Sequence, residues 1–303
     1  MKIGLIGLGK MGFNLALNMK EHGYSVVGFD RDGRKVTELE ANNLTGAGGI
    51  QELVDKLEKR RIVWLMVPAG MIIDQVIEEL MNFLSPGDIV IDGGNSHYKD
   101  TLRRYTLLKE KGIDFADIGT SGGMEGARKG ICAMVGAEES TFRYIEPLIR
   151  DISVPNGYLY TGKNGSGHFT KMVHNGIEYG IMQAIGEGFE VLEKSEFDLN
   201  LQQIARLWNH GSVIRGWLME LAEQAFQKDP DLVTIRGIMR SSGEGLWTVQ
   251  EALALKVPVP TIAAALFMRY RSEQEDAFSG KVVAALRNEF GGHQVEKTFG
   301  TAN

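Results

Sequence analysis

The residues with the clearest chemical potential lie in one short segment, 171–180, which reads Lys-Met-Val-His-Asn-Gly-Ile-Glu-Tyr-Gly. Seven residues advance a helix by nearly two turns, so Lys171 and Glu178 are predicted to share one stripe, about 10 Å apart along the axis. His174 and Asn175 flank that stripe. A lysine and a glutamate that face one pocket could act as base and acid. The alternative is an exposed helix face with a weak charge pair.

Glycine is frequent around this segment. Six glycines fall between positions 165 and 188, in a stretch otherwise patterned as a helix. Each glycine inside a helix costs about 1 kcal/mol relative to alanine. A backbone that closely approaches a ligand or another helix would explain that cost, which favours the acid/base interpretation.

The start of the chain has the pattern of a nucleotide-binding unit. A short apolar strand runs directly into Gly7-Leu8-Gly9-Lys10-Met11-Gly12, an apolar-faced helix follows, and a second strand ends at Asp30. In this context the motif predicts a tight turn at which the amides and the dipole of a helix N-terminus meet a pyrophosphate. The alternative is that the glycines serve only a tight turn.

The acidic residue after the second strand bears on the choice of dinucleotide. Asp30 would accept hydrogen bonds from the adenosine ribose hydroxyls and repel a 2′-phosphate, which favours NAD over NADP. Arg31 and Arg34 follow directly and could hold such a phosphate. NADP therefore stays open as a second cofactor.

The composition narrows the class of protein. A chain of 303 residues with 43% hydrophobic content exceeds the usual single-domain size, so two domains are predicted. The net charge of −6 argues against a general nucleic-acid or acidic-membrane surface. The one cysteine, Cys132, excludes an internal disulfide, and neither a secretion signal nor a membrane-spanning run is visible. We expect a soluble cytoplasmic protein without nucleic-acid or membrane partners.

Strand-like and helix-like segments alternate in the first half of the chain. Apolar runs at 61–67 and 88–91, with helical patterns near 71–83 and 98–111, predict a doubly wound α/β domain of the Rossmann type. The Gly- and Asn-containing segment 156–167 is predicted to mark the boundary between domains 1–164 and 165–303. After it, helical periodicity predicts an all-α domain, with helical stretches at 166–195, 201–227 and 261–289.

Three polar turns follow predicted strands in the first domain. They are Val67-Pro68-Ala69-Gly70, Asp92-Gly93-Gly94-Asn95-Ser96 and Thr120-Ser121-Gly122-Gly123. Ligands of open α/β sheets bind at the carboxyl ends of the strands. Each turn alone fits ordinary turn chemistry. Three on one edge, beside a dinucleotide motif, predict a shared pocket.

In this order, these residues resemble the decarboxylating 6-phosphogluconate dehydrogenases over nearly the whole chain. The most specific part is the run 167–180, because other β-hydroxyacid dehydrogenases share the first motif and the lysine but not His-Asn-Gly-Ile-Glu-Tyr. The segments 92–96, 121–128 and Phe290-Gly291-Gly292-His293 also resemble the family. In length the chain is similar to a short class that lacks the second half of the helical domain and is often NAD-linked.

The resemblance implies a mechanism for the Lys171 stripe. Lys171 would remove the proton of the substrate 3-hydroxyl while hydride passes to the nicotinamide, and would then donate to the keto oxygen during loss of carbon dioxide. Glu178 would protonate carbon 1 of the enediol. No metal is required, and we expect burial beside the positive nicotinamide ring to lower the pKa of Lys171.

The resemblance also implies the binding residues. The substrate carboxylate and hydroxyls would be bound by Asn95, Ser121, Gly122, Gly123, His174 and Asn175, and the phosphate by Tyr179 and Arg269. The cofactor would be bound by Gly7, Leu8, Gly9, Lys10, Met11, Gly12, Asp30, Arg31, Val67, Pro68, Ala69 and Asn95. Arg287 and His293 resemble tail residues that complete a neighbouring subunit's site, which implies a homodimer or homotetramer. The alternatives are a solvated helix face for Arg269 and Arg287, and a disordered tail for His293.

The sequence departs from the family pattern at Ser242, where long-form enzymes carry a phosphate-binding lysine, and at Met124, where an acidic residue is usual. Arg240 could supply the missing charge. The leading hypothesis is an NAD-preferring enzyme that oxidises and decarboxylates 6-phospho-D-gluconate to D-ribulose 5-phosphate, in a pentose phosphate route or in gluconate breakdown. The alternatives are a non-decarboxylating β-hydroxyacid dehydrogenase, a dehydrogenase of an unphosphorylated sugar acid, and a dinucleotide sensor with little catalysis.

Overall fold

Short apolar runs form one sheet in the first part of the chain. Its strands are β1 (Lys2–Ile6), β2 (Ser25–Phe29), β3 (Thr45–Gly46), β4 (Ile62–Leu65), β5 (Ile89–Asp92), β6 (Asp114–Ser121), β7 (Ile131–Ala137) and β8 (Ser153–Gly162). The computed structural model describes residues 1–297. Strand order is β3-β2-β1-β4-β5-β6-β7-β8. Strands β1 to β6 pair in parallel, whereas β7 runs antiparallel to β6. The carboxyl ends of β1 to β6 therefore meet at one edge.

Helices connect these strands and cover both faces of the sheet. They are α1 (Lys10–Glu21), α2 (Gly33–Ala41), α3 (Ile50–Asp55), α4 (Met71–Leu80), α5 (Tyr98–Glu110), α6 (Gly123–Lys129) and α7 (Glu139–Asp151). Alternate residues of one strand enter opposite cores: Trp64 packs on one face, Val63 and Leu65 on the other. All three are fully buried. Burial of such an aliphatic side chain stabilises the fold by roughly 1.5–3 kcal/mol, so continuous apolar runs are favoured in these strands. The predicted doubly wound α/β domain is confirmed.

The second part of the chain is helical. Its helices are α8 (Ser166–Glu193), α9 (Leu201–Asn209), α10 (Trp217–Lys228), α11 (Glu244–Ala254), α12 (Pro260–Ser272) and α13 (Phe278–Gly291). Phe189, Met219 and Phe226 belong to one small core, and Tyr179 and Leu266 to another. None of the residues of α13 is buried.

Three predicted segments differ from the structure. The segment 156–167 is largely strand, because β8 continues to Gly162; Asn156, with φ +59°, lies at an irregularity in its pairing with β7. The stretch 201–227 is broken into α9 and α10 by a loop with glycines in the left-handed region, Gly211 and Gly216. The stretch 261–289 is broken at 273–277, of which residues 273–276 are polar. Helical periodicity continued across both breaks, so the pattern alone did not reveal them.

Two compact units make up the chain, Met1–Asn175 and the part from Gly176 onward, so the division falls within α8. The boundary between 164 and 165 stays a prediction. Over the described range, 1–297, none of the helices is both long enough and apolar enough to cross a membrane.

Candidate active site

The glycine motif forms the turn between β1 and α1. Gly7 has φ +97°, and a Cβ atom there would lie 2.4 Å from the carbonyl oxygen of Met66. A Cβ atom on Gly12 would lie 2.0 Å from the carbonyl oxygen of Gly7. Around Gly9, by contrast, the described atoms leave open space within 4 Å of a Cβ position. Gly9 precedes Lys10, the first residue of α1, so the helix amides open onto that space. The turn can therefore hold a pyrophosphate group.

Asp30 is tied to this turn by its carboxylate. Its Oδ2 accepts the N–H of Leu8 at 2.8 Å, and its Oδ1 accepts the N–H of Asp32 at 2.9 Å. Burial opposes ionisation of Asp30, but these two bonds and the ammonium of Lys35, 3.2 Å away, outweigh it and lower the pKa of the carboxyl. Asp30 is thus a fixed anion beside the glycine turn.

The basic residues that follow Asp30 have different ion-pair partners. Arg34 pairs with Asp32 at 2.9 Å, whereas Lys35, which the sequence argument did not single out, pairs with Asp30. Arg31 is exposed and lines a cleft of about 570 Å³ together with Asp30, Glu40 and Lys56. Since that cleft carries both carboxylates and cations, its charge does not by itself select NAD or NADP.

Two of the three predicted turns lie at the sheet edge as expected. Residues Val67, Pro68 and Ala69 follow β4, and Asn95, which is exposed, follows β5. The third was predicted wrongly, because Thr120 and Ser121 belong to β6 and Gly123 begins α6. Only Gly122, with φ +113°, lies between these elements.

Lys171 is held against β6. Its side chain is 7% exposed, and a Cβ atom on Gly119 of β6 would lie 2.3 Å from the Cβ of Lys171. A Cβ atom on Gly167 would lie 2.4 Å from the carbonyl oxygen of Asp117. The helix thus approaches the sheet so closely that only glycine fits at these two positions. The glycine frequency predicted approach to a ligand or to another helix, and at Gly167 the helix approaches the sheet instead.

A buried carboxylate anchors the start of α8. Asp117 accepts the N–H of Gly165 at 2.7 Å and the N–H of His168 at 2.9 Å, two donors at the helix start. Burial raises the pKa of Asp117, although His168 and these two N–H groups oppose it. His168 Nδ1 in turn lies 2.7 Å from the hydroxyl of Thr101. Asp117 therefore fixes the helix turn that precedes Lys171.

Three of the predicted substrate residues lie together. Ser121 Oγ is 3.2 Å from His174 Nε2, and His174 Nδ1 is 3.0 Å from Asn175 Oδ1. Asn175 is 8% exposed. This polar group belongs to the same unit as Lys171, the glycine turn and Asn95.

Further along the chain, Tyr179 lies at the centre of a second polar group. Its hydroxyl accepts the N–H of Ser242 at 3.1 Å and lies 3.3 Å from Ser242 Oγ. The Arg269 guanidinium stacks 3.6 Å from the Tyr179 ring centroid and donates to the carbonyl of Arg240 at 2.9 Å. Glu178 is half-buried on α8, seven residues after Lys171. The second unit thus offers hydroxyl and cationic groups suited to an anion.

Arg287 and His293 are both exposed, near the end of α13. The tail turn is ordered, because Asn288 Nδ2 donates to the carbonyl of His293 at 2.8 Å and Gly292 caps the helix with φ +64°. Among residues 176–297, no hydrogen bond or ion pair joins the side chain of Arg287 or His293 to Tyr179 or Arg269.

Comparisons with known proteins accord with this geometry. Residues 2–162 match the model of the NAD binding domain of 6-phosphogluconate dehydrogenase, and residues 167–288 match the model of the C-terminal domain of 6-phosphogluconate dehydrogenase. The chain belongs to the 6-phosphogluconate dehydrogenase family. Its nucleotide-binding part is accordingly an NAD-binding domain.

Individual members of the 6-phosphogluconate dehydrogenase family are similar over nearly the full chain. A Bacillus subtilis protein provisionally named 6-phosphogluconate dehydrogenase YqeC is 57% identical, over 98% of this chain and 100% of its own length. The NAD(+)-dependent decarboxylating enzyme of Haloferax volcanii is 40% identical, over 98% of this chain and 99% of its own. The structure of Plasmodium falciparum 6-phosphogluconate dehydrogenase, 31% identical, superimposes with a TM-score of 0.84 over 100% of this chain and 67% of that longer one.

Sequence reasoning missed three charged residues that contact the candidate site: Lys35, Asp117 and Arg104, whose guanidinium donates to Ser96 and to the carbonyl of Gly70. Asp117 interrupts the apolar run of β6, and Arg104 occupies the buried stripe of α5 with Thr101 and Leu108. A charge on an otherwise apolar face was the available signal in both cases. Lys35 gave no such signal, since it is one of three basic residues within 31–35.

Proposed function

We propose that the protein oxidises and decarboxylates 6-phospho-D-gluconate to D-ribulose 5-phosphate with NAD as the preferred cofactor. The observation that carries the proposal is the placement of Lys171. It is buried against Gly119 of β6, in the unit that also holds the glycine turn and the Ser121–His174–Asn175 group. Membership of the family and the likeness to the NAD(+)-dependent Haloferax volcanii enzyme support it.

The cofactor would be held by the turn at Gly7–Gly12, by Asp30 and by the loops at Val67 and Asn95. When bound, NAD supplies the acceptor for the hydride of substrate carbon 3. Asp30, a fixed anion, would accept the hydrogen bonds of a ribose diol and repel a 2′-phosphate. Lys35 and Arg31 soften this preference, because both are cations near the same carboxylate.

Lys171 would act as the base for the substrate 3-hydroxyl. A general base must be unprotonated, and burial would favour the neutral amine of Lys171. With that proton, Lys171 would next donate to the keto oxygen, so that electrons released by the departing carboxylate are stabilised. Glu178, half-buried on α8, would return a proton to carbon 1. Ser121, His174 and Asn175 would orient the hydroxyls and the carboxylate.

The phosphate would be bound by Tyr179, Arg269 and Ser242. A stacked guanidinium provides a permanent positive charge, and the hydroxyls add hydrogen bonds. Since Ser242 replaces a family lysine, Arg240 would contribute the second charge from the same loop.

We further propose a cytoplasmic homodimer or homotetramer in which the tail of one subunit completes the site of the next. The exposed apolar side chains of α13 support this, among them Phe278 and Phe290, both 78% exposed. Arg287 and His293 lie at the end of the same helix, so burial of α13 by a partner would bring both residues to that partner.

The test is initial rates of reduced-cofactor formation with carbon dioxide trapped in parallel. The substrates are 6-phosphogluconate and gluconate, each with NAD and with NADP. We expect equimolar carbon dioxide and fastest turnover with 6-phosphogluconate and NAD. Turnover without carbon dioxide would show a non-decarboxylating dehydrogenase, and turnover of gluconate alone would show a changed substrate.

The cofactor preference has its own variant. Asp30→Ser removes the anion beside the ribose and should raise the kcat/KM ratio of NADP to NAD by roughly 10- to 100-fold. Glu38→Ser is the matched control, since Glu38 is an exposed carboxylate of α2 that does not line the cleft beside Asp30. An unchanged ratio in Asp30→Ser would refute the role of Asp30.

A further inference from the structure

Arg104 of α5 is a charged side chain inside the first unit. It is 1% exposed, yet it makes four polar contacts. Its Nε donates to Asp74 Oδ1 at 2.8 Å and its Nη2 to the carbonyl of Gly70 at 3.0 Å. Its Nη1 donates to Ser96 Oγ at 3.1 Å and faces Asp92 Oδ2 at 3.4 Å. A buried guanidinium is tolerated only with such partners, so the contacts are specific.

Asp74 lies on α4, whereas the other three partners flank two different loops. Gly70 ends the loop after β4, and Asp92 and Ser96 bracket the loop after β5. Asp92, itself fully buried, also accepts the N–H of Gly94 at 3.1 Å and the hydroxyl of Ser96 at 2.7 Å. The Gly94 N–H before Asn95 and the Ser96 hydroxyl after it are therefore bound to one carboxylate, and that carboxylate to Arg104.

The neighbouring arginine makes a different set of contacts. Arg103 also pairs with Asp74, at 2.8 Å, but its side chain is 54% exposed. It contacts the carboxylates of Asp74 and Asp100 rather than either loop. The chain thus provides two adjacent arginines on one helix that share a carboxylate and differ in the loop contacts.

We propose that Arg104 is a positioning residue, which sets the loops Val67–Gly70 and Asp92–Ser96 relative to each other. The inference rests on the proposed function, in which these loops hold the cofactor and, through Asn95, the substrate. A single planar group with five donors can bridge two loops, whereas a lysine ammonium cannot reach both in the same geometry. Arg104 touches neither reactant, so its effect is on loop geometry alone.

The first experiment compares Arg104→Ala with Arg103→Ala in the full-length enzyme. Misplacement of loops by about 1 Å lowers turnover by on the order of 100-fold. We expect that loss in kcat/KM for NAD with Arg104→Ala, and a change below about 3-fold with Arg103→Ala. Added guanidinium ion should restore at least a tenth of the lost activity in Arg104→Ala and leave Arg103→Ala unchanged. Equal losses in the two variants, or no rescue in a folded Arg104→Ala protein, would overturn the proposal.

Arg104→Lys keeps the test decisive if Arg104→Ala does not fold. It retains the charge and loses the bridge, so it should fold and still lose roughly 10-fold in kcat/KM, with Arg103→Lys unaffected. A folded Arg104→Lys enzyme with wild-type kinetics refutes the role. NADH binding is measured in parallel by fluorescence titration and should be weaker in Arg104→Lys. Because wild-type turnover is measured in the same assay, an inactive wild type with an intact NADH-binding difference would count against the proposed function and not against Arg104.

Discussion

The start of α8 and the whole of α13 differ in how much of their surface the chain itself covers. Lys171 is 7% exposed, and two glycines let its helix pack directly on the sheet. In α13 none of the residues is buried, and Phe290 is 78% exposed. The first region is complete within one chain. The second leaves apolar side chains exposed, which the proposed subunit partner would cover, and Arg287 belongs to the same helix.

The largest expected effect tests the complete region. Lys171→Met removes the proposed base and should lower kcat by roughly 10²- to 10⁴-fold, the usual contribution of general acid–base catalysis. The measurement is the initial rate with 6-phosphogluconate and NAD, with circular dichroism to confirm folding. Lys194→Met is the control, because Lys194 follows the end of α8 and its side chain is 72% exposed. Normal turnover by Lys171→Met would remove the basis of the mechanism.

The second effect tests the packing beneath Lys171. In Gly119→Ala the new Cβ would approach the Cβ of Lys171 to 2.3 Å and the carbonyl oxygen of Gly167 to 2.9 Å. The helix must move, so we expect about 1–3 kcal/mol lower unfolding free energy and on the order of 100-fold lower kcat. Gly49→Ala has open space around its Cβ position and should change neither by much. A stable, fully active Gly119→Ala enzyme would show that close approach is not needed.

The third prediction addresses α13 through subunit exchange. Lys171→Met and Arg287→Ala should each be nearly inactive alone. If the tail completes a neighbouring site, random reassociation of the two dimeric variants makes half of the dimers hybrids with one complete site each, restoring about a quarter of wild-type activity. Activity is measured after mixing under conditions that allow exchange.

The matched control for this exchange is a mixture of Lys171→Met with Glu178→Gln. Both residues lie on α8 of one chain, so no hybrid should contain a complete site. Recovery in this control, or none in the first mixture, would contradict the assignment of Arg287 to the neighbouring subunit.

The same two regions show what the sequence could predict. The run around Lys171 combined chemical residue types with a strong period and a glycine excess, so α8 was predicted almost to its last residue. Strands β1, β2, β4 and β5 were predicted from continuous apolar runs, since burial on both faces demands such residues, whereas β3 and β8 were not predicted. The break at 273–277 before α13 was missed, because helical periodicity continued across it.

Contacts between distant positions were the other limit. Asp117 binds two amide groups about 50 residues away, and Arg104 joins two loops. Local periodicity identifies which residues are buried but not which partners they find there. The sequence also could not show that Asp30 pairs with Lys35 and not with Arg31 or Arg34, because all three cations lie within five residues of it.

The smallest expected effect concerns the stability of the first unit, whose contacts lie within one chain. Tyr24 donates to Asp151 Oδ2 at 2.8 Å and so links the start of β2 to the end of α7. Burial, followed by this hydrogen bond to a carboxylate, raises the pKa of Tyr24 to about 12 from an ordinary value of 10.0. The neutral phenol is therefore favoured in the folded state. Its stabilising contribution is fully present below pH 10 and is lost as the pH rises towards 12. The Tm difference between wild type and Tyr24→Phe should accordingly shrink between pH 10 and pH 12, the range between the ordinary and the raised pKa of the phenol. A difference that stays constant across this window would show that the hydroxyl is not coupled to folding, and the first unit would then be held at this point by apolar packing alone.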